Sequence, residues 1–279
     1  MCPPEKPWRK VLYEKQGYPD NYTDQGIFLQ DLRKNVNFKA VSFFEACLGA
    51  SLVLQEFCIV VLFIIIFFSI INEWVEPYEV LCASSIVSLM GLVYYRVFFP
   101  EGRKHALGHD IRTILTFTAF GQLFSPVLHT LTNTVSTDTI YTMAFFMFFV
   151  HFIFYDYGIS AAIVSRSLSI SAAMFGSICL CSRLSSASEA FVLLTVSTQV
   201  FVLSPILRRD LKKPLLLTGL VLILDLYFLQ TISLLITALF ASSVLLINLC
   251  CPFYFVRYQK FKDNIHGPWD EAVVSSLEL

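Results

Sequence analysis

Eight long apolar runs dominate this chain and limit the folds that it can adopt. Since an α-helix rises 1.5 Å per residue, a hydrocarbon core of about 27 Å needs roughly 18 residues to cross it. Hydrophobic residues make up 56% of the chain and charged residues 15%, compared with about 25% charged residues in a soluble domain. The sequence therefore predicts an all-α, polytopic membrane bundle of about eight transmembrane helices. We place the spans near residues 52–71, 78–99, 111–131, 139–155, 159–181, 188–207, 214–230 and 233–256.

Lysine and arginine alternate between the two ends of these spans. The polar segment before residue 41, the segments 96–112 and 208–213 and the C-terminal tail each carry several basic residues. The loops 72–77 and 132–138 carry none. Because basic loops stay on the cytosolic side of a membrane, this alternation predicts that both termini are cytosolic.

Three parts follow from this topology. We expect a cytosolic N-terminal segment over residues 1–45, a bundle over 46–256 and a cytosolic docking tail over 257–279. No loop between the spans is long enough to hold a soluble catalytic domain, and the sequence contains no recognised catalytic, metal-binding or nucleotide-binding motif. We therefore predict no catalytic residue, no cofactor and no metal. The dispersed basic residues also argue against a nucleic-acid partner.

Ionisable residues within membrane spans are expensive and commonly functional. Glu56 stands near the predicted cytosolic end of the first span, where we expect partial hydration. It is either a packing contact between helices or a contact with an ion or a lipid headgroup. Arg166 and Asp225 fall within the fifth and seventh spans and should face protein. They could pair with each other or with a partner protein, and the sequence leaves these roles open.

Two aspartates mark the ends of the fourth span. Asp138 lies at its start, where Ser136 or Thr137 is a good N-cap and a carboxylate favours the positive end of a helix. The alternative for Asp138 is a packed polar contact at the lumenal interface. Asp156 lies in a tight turn before Gly158 and could cap the fifth span or contact a partner. Both aspartates are candidates for interface or packing roles.

A basic cluster follows the sixth span. Residues of this kind are attracted to anionic lipid at the cytosolic surface. The cluster is either a topology signal or a contact with a phosphoinositide headgroup. Its members, our lipid-headgroup candidates, are Arg208, Arg209, Lys212 and Lys213.

Several blocks, in order along nearly the whole chain, resemble the PIG-C family of the phosphatidylinositol N-acetylglucosaminyltransferase. The resemblance implies a non-catalytic membrane component of an endoplasmic reticulum complex. That complex transfers N-acetylglucosamine from UDP-N-acetylglucosamine to phosphatidylinositol on the cytosolic face, the first step of glycosylphosphatidylinositol (GPI) anchor synthesis. The implied partners are the catalytic A-type subunit and the subunits of types H, P, Q and Y. The blocks are Lys10–Lys15, Tyr18–Tyr22, Ser125–Leu128, Ser136–Tyr141, Asp156–Gly158, Ala161–Ser165 and Cys251–Ala272.

The polar block near the C-terminus is the predicted docking surface for the catalytic subunit. We expect Trp269 to be a buried anchor, because tryptophan is enriched at the centres of interfaces. Gly267 and Pro268 would form the turn that presents it. The alternative is a tail packed over the cytosolic ends of the helices. The docking candidates are His266, Gly267, Pro268, Trp269, Asp270 and Glu271.

Three functions remain open at this point. The first is the scaffolding subunit, with the spans also forming a groove that presents phosphatidylinositol near Arg208, Arg209 or the basic tail. The second is a small transporter or lipid scramblase, which would need a polar pathway that Glu56, Arg166 and Asp225 alone could supply. The third is a stand-alone membrane transferase, which the short loops disfavour.

Overall fold

The computed structural model describes residues 17, 33–35, 38–98, 107–130, 134–158, 164–209, 214–263 and 265–266. Ten α-helices and two very short strands occur within them. The strands are β1 (Arg33–Lys34) and β2 (Ile265–His266). The helices are α1 (Phe43–Ile71), α2 (Pro77–Phe98), α3 (Leu107–Thr130), α4 (Thr137–Phe154), α5 (Arg166–Cys181), α6 (Ala187–Thr198), α7 (Ser204–Arg209), α8 (Pro214–Ile232), α9 (Leu234–Leu245) and α10 (Cys251–Tyr258).

The helical membrane bundle predicted from the sequence is confirmed. A π-helical segment, Gln199–Leu203, joins α6 to α7, and another, Leu246–Cys250, joins α9 to α10. In the described part of the chain, seven helices are long and apolar enough to cross a membrane. The shorter apolar helix α5 lies at the position of the fifth predicted span. Together they occupy all eight predicted positions.

Serine–glutamate pairs fix where two of the spans begin. The Ser42 backbone N–H donates to the Glu45 carboxylate at 2.9 Å, and the Glu45 N–H donates to the Ser42 hydroxyl at 3.3 Å. This reciprocal capping satisfies backbone donors that a helix start otherwise leaves unpaired. The first helix therefore begins at Phe43 rather than near residue 52, where the apolar run starts. At the start of α6 the Glu189 N–H donates to the Ser186 hydroxyl, and the Glu189 carboxylate accepts from the Ser186 hydroxyl and from the Ser185 N–H.

The chain forms two compact units, and the larger, Cys47–Pro252, is the helical bundle. Helix α1 lies at its centre, held by aromatic contacts with helices distant in sequence. The ring of Phe63 packs edge-on against Phe148 of α4 and Phe201 of the first π-helical segment, at 5.8 and 5.1 Å. The ring of Phe57 stacks on Phe240 of α9 at 5.7 Å. These large side chains fill the core around α1.

The smaller unit combines the described residues before Cys47 with those after Pro252. Strands β1 and β2 pair antiparallel, with Arg33 opposite His266. The Gln259 side chain accepts a hydrogen bond from the Val41 backbone N–H and donates one to the Val41 carbonyl, each at 3.0 Å. The Asn35 side-chain amide donates to Asp263 at 3.5 Å. The two polar ends of the chain thus bind each other.

Candidate functional site

A buried ion pair at Glu56 is the main polar feature of the bundle. Glu56 lies on α1, and its side chain is fully buried. One carboxylate oxygen accepts from the Arg208 guanidinium at 2.6 Å, and the other accepts from His151 Nε2 at 2.9 Å. Hydrogen bonds between charged groups are the stronger kind, and burial strengthens them further. Glu56 is therefore an internal ion-pair partner, not the partly hydrated residue expected from its position in the first span.

Helices α4 and α5 complete this cluster. His151 lies in the last turn of α4, and Ser169 lies in the first turn of α5. The Nδ1 atom of His151 lies 3.0 Å from the Ser169 carbonyl and 2.8 Å from its hydroxyl. The orientation of a histidine ring depends on the hydrogen bond that its second nitrogen makes. Ser169 thus fixes the ring that donates to Glu56.

Aromatic rings enclose the cluster. The Arg208 guanidinium carbon lies 5.7 Å from the centre of the Tyr155 ring, within range of a cation–π contact. The Tyr155 ring packs edge-on against His151 at 5.6 Å and against Tyr157 at 5.0 Å. Phe201 packs edge-on against His151 at 5.2 Å. The polar groups therefore sit in an aromatic shell that limits the access of water.

The packing of its span explains why Arg208 enters the bundle. Phe201 packs on Phe63 of α1 and Arg208 pairs with Glu56 of α1, so both residues lie on the face of their span that contacts α1. Phe201 is fully buried against α1 and α4. That face carries Arg208 inward at the end of the span. The structure thus separates Arg208 from its role as a surface-facing member of the basic cluster.

Two donor atoms of Arg208 have no acceptor in the described part of the chain. The residue is 9% exposed, and among the described residues its Nε and Nη2 atoms are buried without a hydrogen-bond partner. The Nη1 atom donates its hydrogen bond to the Glu56 carboxylate. Leaving a buried donor unpaired costs about 1–3 kcal/mol. An acceptor for this edge of the guanidinium would relieve that cost.

Asp225 is the second fully buried acid in the described part of the bundle, and its setting differs. It lies on α8 next to the Cys58 thiol of α1, which is a weak donor, and neither carboxylate oxygen has a nitrogen or oxygen hydrogen-bond partner among the described residues. Arg166 begins α5 and is exposed. The possible pairing of Asp225 with Arg166 does not occur in this structure.

The remaining predicted residues are distributed at helix ends. Asp138 and Asp156 are exposed. Ser136 is the N-cap of α4, since its hydroxyl accepts from the Thr139 N–H at 3.4 Å. Asp156 accepts from the Gly158 N–H at 2.9 Å, and Gly158 adopts a φ of 82° that favours glycine. Asp156 therefore stabilises the turn in which it lies.

Part of the predicted surface lies outside the described residues. Arg209 is the last residue of α7, and the structure does not describe its side chain. His266 pairs through its backbone in β2. The candidates wholly outside the described residues are Lys212, Lys213, Gly267, Pro268, Trp269, Asp270 and Glu271.

Sequence reasoning missed three members of the Glu56 cluster. His151, Tyr155 and Ser169 were not singled out. His151 carried a usable signal, because a histidine within an apolar span should be matched with an intramembrane acid.

No group of three or more potential metal ligands occurs in the described part of the chain. Near the first basic loop between spans, Asp110 pairs with Arg96.

Comparisons with known proteins identify the family. The family model described as GPI2, phosphatidylinositol N-acetylglucosaminyltransferase, matches residues 8–270. The chain is 42% identical to the C-type subunit of human phosphatidylinositol N-acetylglucosaminyltransferase, over 97% of this chain and 94% of the relative. It is 30% identical to the GPI2 subunit of Schizosaccharomyces pombe, over 96% of this chain and 87% of the relative. No solved structure matches the chain. The chain therefore belongs to the GPI2 family of phosphatidylinositol N-acetylglucosaminyltransferase proteins.

Proposed function

We propose that this chain is a membrane component of a phosphatidylinositol N-acetylglucosaminyltransferase complex and acts in the first step of GPI-anchor biosynthesis. The observation that carries the proposal is the near full-length similarity to proteins named as the C-type subunit of that transferase. The complex resides in the endoplasmic reticulum membrane. The chain assembles with the catalytic A-type subunit and with the subunits of types H, P, Q and Y.

The role within the complex is scaffolding rather than catalysis. The buried carboxylate of Glu56 is already engaged by Arg208 and His151, so it is not free to act as a base. The bundle fixes the relative positions of helices from distant parts of the chain. Presentation of phosphatidylinositol to the catalytic subunit is a second part of this role. Neither the family match nor the relatives support the transporter or scramblase alternative.

Purification with a transfer assay tests this proposal. The tagged chain is isolated in mild detergent and incubated with labelled UDP-N-acetylglucosamine and phosphatidylinositol. We expect transfer from the co-purified assembly and none from this chain alone. Transfer by the isolated chain would show that it carries a catalytic site. Absence of both transfer and a co-purifying glycosyltransferase would contradict the proposal.

The C-terminal block is proposed as the dock for the catalytic subunit, with Trp269 as its anchor. Aromatic anchors often contribute about 2 kcal/mol or more to binding, on the order of a thirtyfold loss on truncation. Trp269→Ala should therefore release the catalytic subunit from purified complex. The matched control is Trp74→Ala, because Trp74 is an exposed tryptophan in a loop predicted to be lumenal. A Trp269→Ala complex that stays whole and active would refute this docking role.

A further inference from the structure

We infer that the two unpaired donors of Arg208 bind the phosphodiester of a glycerophospholipid. This inference rests on the proposed function, because phosphatidylinositol supplies such a group. Nε and Nη2 lie along one edge of the planar guanidinium and are buried without an acceptor among the described residues. A guanidinium edge commonly binds two phosphate oxygens through parallel hydrogen bonds. The missing acceptor thus matches the geometry of a phosphodiester.

The way in which Glu56 uses the guanidinium leaves room for a second acceptor. The Glu56 carboxylate divides its hydrogen bonds between Arg208 and His151. Its contact with Arg208 is through Nη1, so the edge formed by Nε and Nη2 keeps its donors. Hydrogen bonds from a guanidinium to an anionic oxygen are stronger than those to a neutral one. A phosphodiester offers two such oxygens for the single charge that it carries.

The location of the cluster suits a lipid headgroup. Arg208 lies at the end of its span, His151 in the last turn of α4 and Ser169 in the first turn of α5. On the predicted topology these three ends all face the cytosolic leaflet. Tyr155, which contacts the guanidinium, is followed directly by the exposed Asp156. The donors thus lie at headgroup depth rather than in the middle of the bilayer.

Arg208→Lys separates this role from the internal ion pair. Lysine keeps the positive charge near Glu56 but lacks the paired edge that binds two oxygens. The matched control is Arg183→Lys, because the Arg183 guanidinium donates to the Val135 carbonyl at the opposite end of the bundle. We expect Arg208→Lys to weaken phospholipid binding at least about tenfold. Arg183→Lys should leave that binding unchanged.

The measurement is thermal stabilisation of the purified assembly, titrated with phosphatidylinositol, with diacylglycerol of the same acyl chains and with inorganic phosphate. Stabilisation by phosphatidylinositol that diacylglycerol does not reproduce, and that Arg208→Lys weakens, supports the inference. Equal stabilisation by diacylglycerol, or unchanged phosphatidylinositol binding in Arg208→Lys, overturns it. Saturation by inorganic phosphate without any effect of the lipid overturns the lipid assignment and leaves a free-anion site.

A second variant keeps the titration decisive if Arg208→Lys does not fold. Glu56→Leu with Arg208→Met removes both buried charges together, a replacement that is often tolerated, and it also removes the guanidinium edge. Stabilisation by phosphatidylinositol that is unchanged in this double variant overturns the inference. Lipid binding is also measured without sugar transfer. An active assembly in which Arg208→Lys binds lipid normally refutes the phosphate site alone, whereas an assembly without transfer activity refutes the proposed function.

Discussion

Glu56 and Asp225 are two fully buried acids in one bundle, yet their surroundings are opposite. Glu56 accepts from a guanidinium and an imidazole, whereas Asp225 has only the weakly donating Cys58 thiol beside it and no nitrogen or oxygen hydrogen-bond partner among the described residues. A lone buried carboxylate is too costly to keep charged and becomes protonated instead. Glu56 can stay ionised because the Arg208 cation contacts it directly. Burial alone therefore does not tell whether an acid in a membrane bundle carries charge.

This difference also assigns different roles to the two acids. The Glu56 pair joins α1 to the sixth predicted span, and His151 adds α4. Removal of one member leaves the others buried and uncompensated. Asp225 on α8 makes no ionic link between the described helices. We expect the two acids to respond very differently to the same substitution.

The largest expected effect follows from Glu56→Gln. This change keeps the shape of the side chain but leaves the Arg208 charge buried without a counter-charge, which costs about 3–5 kcal/mol. Thermal unfolding in detergent should show a marked loss of stability. Glu79→Gln is the control, since Glu79 is an exposed acid at the start of α2. Equal unfolding temperatures for the two variants would show that Glu56 is not held by an ionic contact.

A smaller effect is expected when both partners of the ion pair are replaced together. Glu56→Leu with Arg208→Met removes both buried charges, and such replacements are often neutral or stabilising. The double variant should therefore be more stable than either single variant, with a coupling of about 0.5–3 kcal/mol. A double-mutant cycle of unfolding free energies measures this coupling. Additive losses would mean that the two residues act independently.

The smallest expected effect belongs to Asp225→Asn. If Asp225 is a neutral acid, the amide replaces a group of similar size and polarity, and stability should change by less than about 1 kcal/mol. The same unfolding assay measures it beside Glu56→Gln. A loss as large as that of Glu56→Gln would show that Asp225 is charged and paired, and the contrast between the two acids would then disappear.

Local sequence patterns predicted the helices because the forces that form them act locally. Apolar run lengths indicated the eight span positions, and the serine at the start of α4 was predicted as one of two caps. The first helix begins earlier than its apolar run because Ser42 and Glu45 cap a polar turn. Patterns of this kind depend on residues three or four positions apart. They do not report which helix faces contact each other.

The sequence by itself determined a helical membrane bundle with eight predicted spans, and its motifs indicated the GPI2 family. The tertiary structure alone decided which polar residues meet. Glu56 contacts His151, which is 95 positions away along the chain, and Arg208, which is 152 positions away. Arg208 carries the same charge as its neighbours in the basic cluster, yet it is buried because its helix face packs against α1. Contacts of this range arise from packing between helices, and the charge pattern of one segment does not encode them.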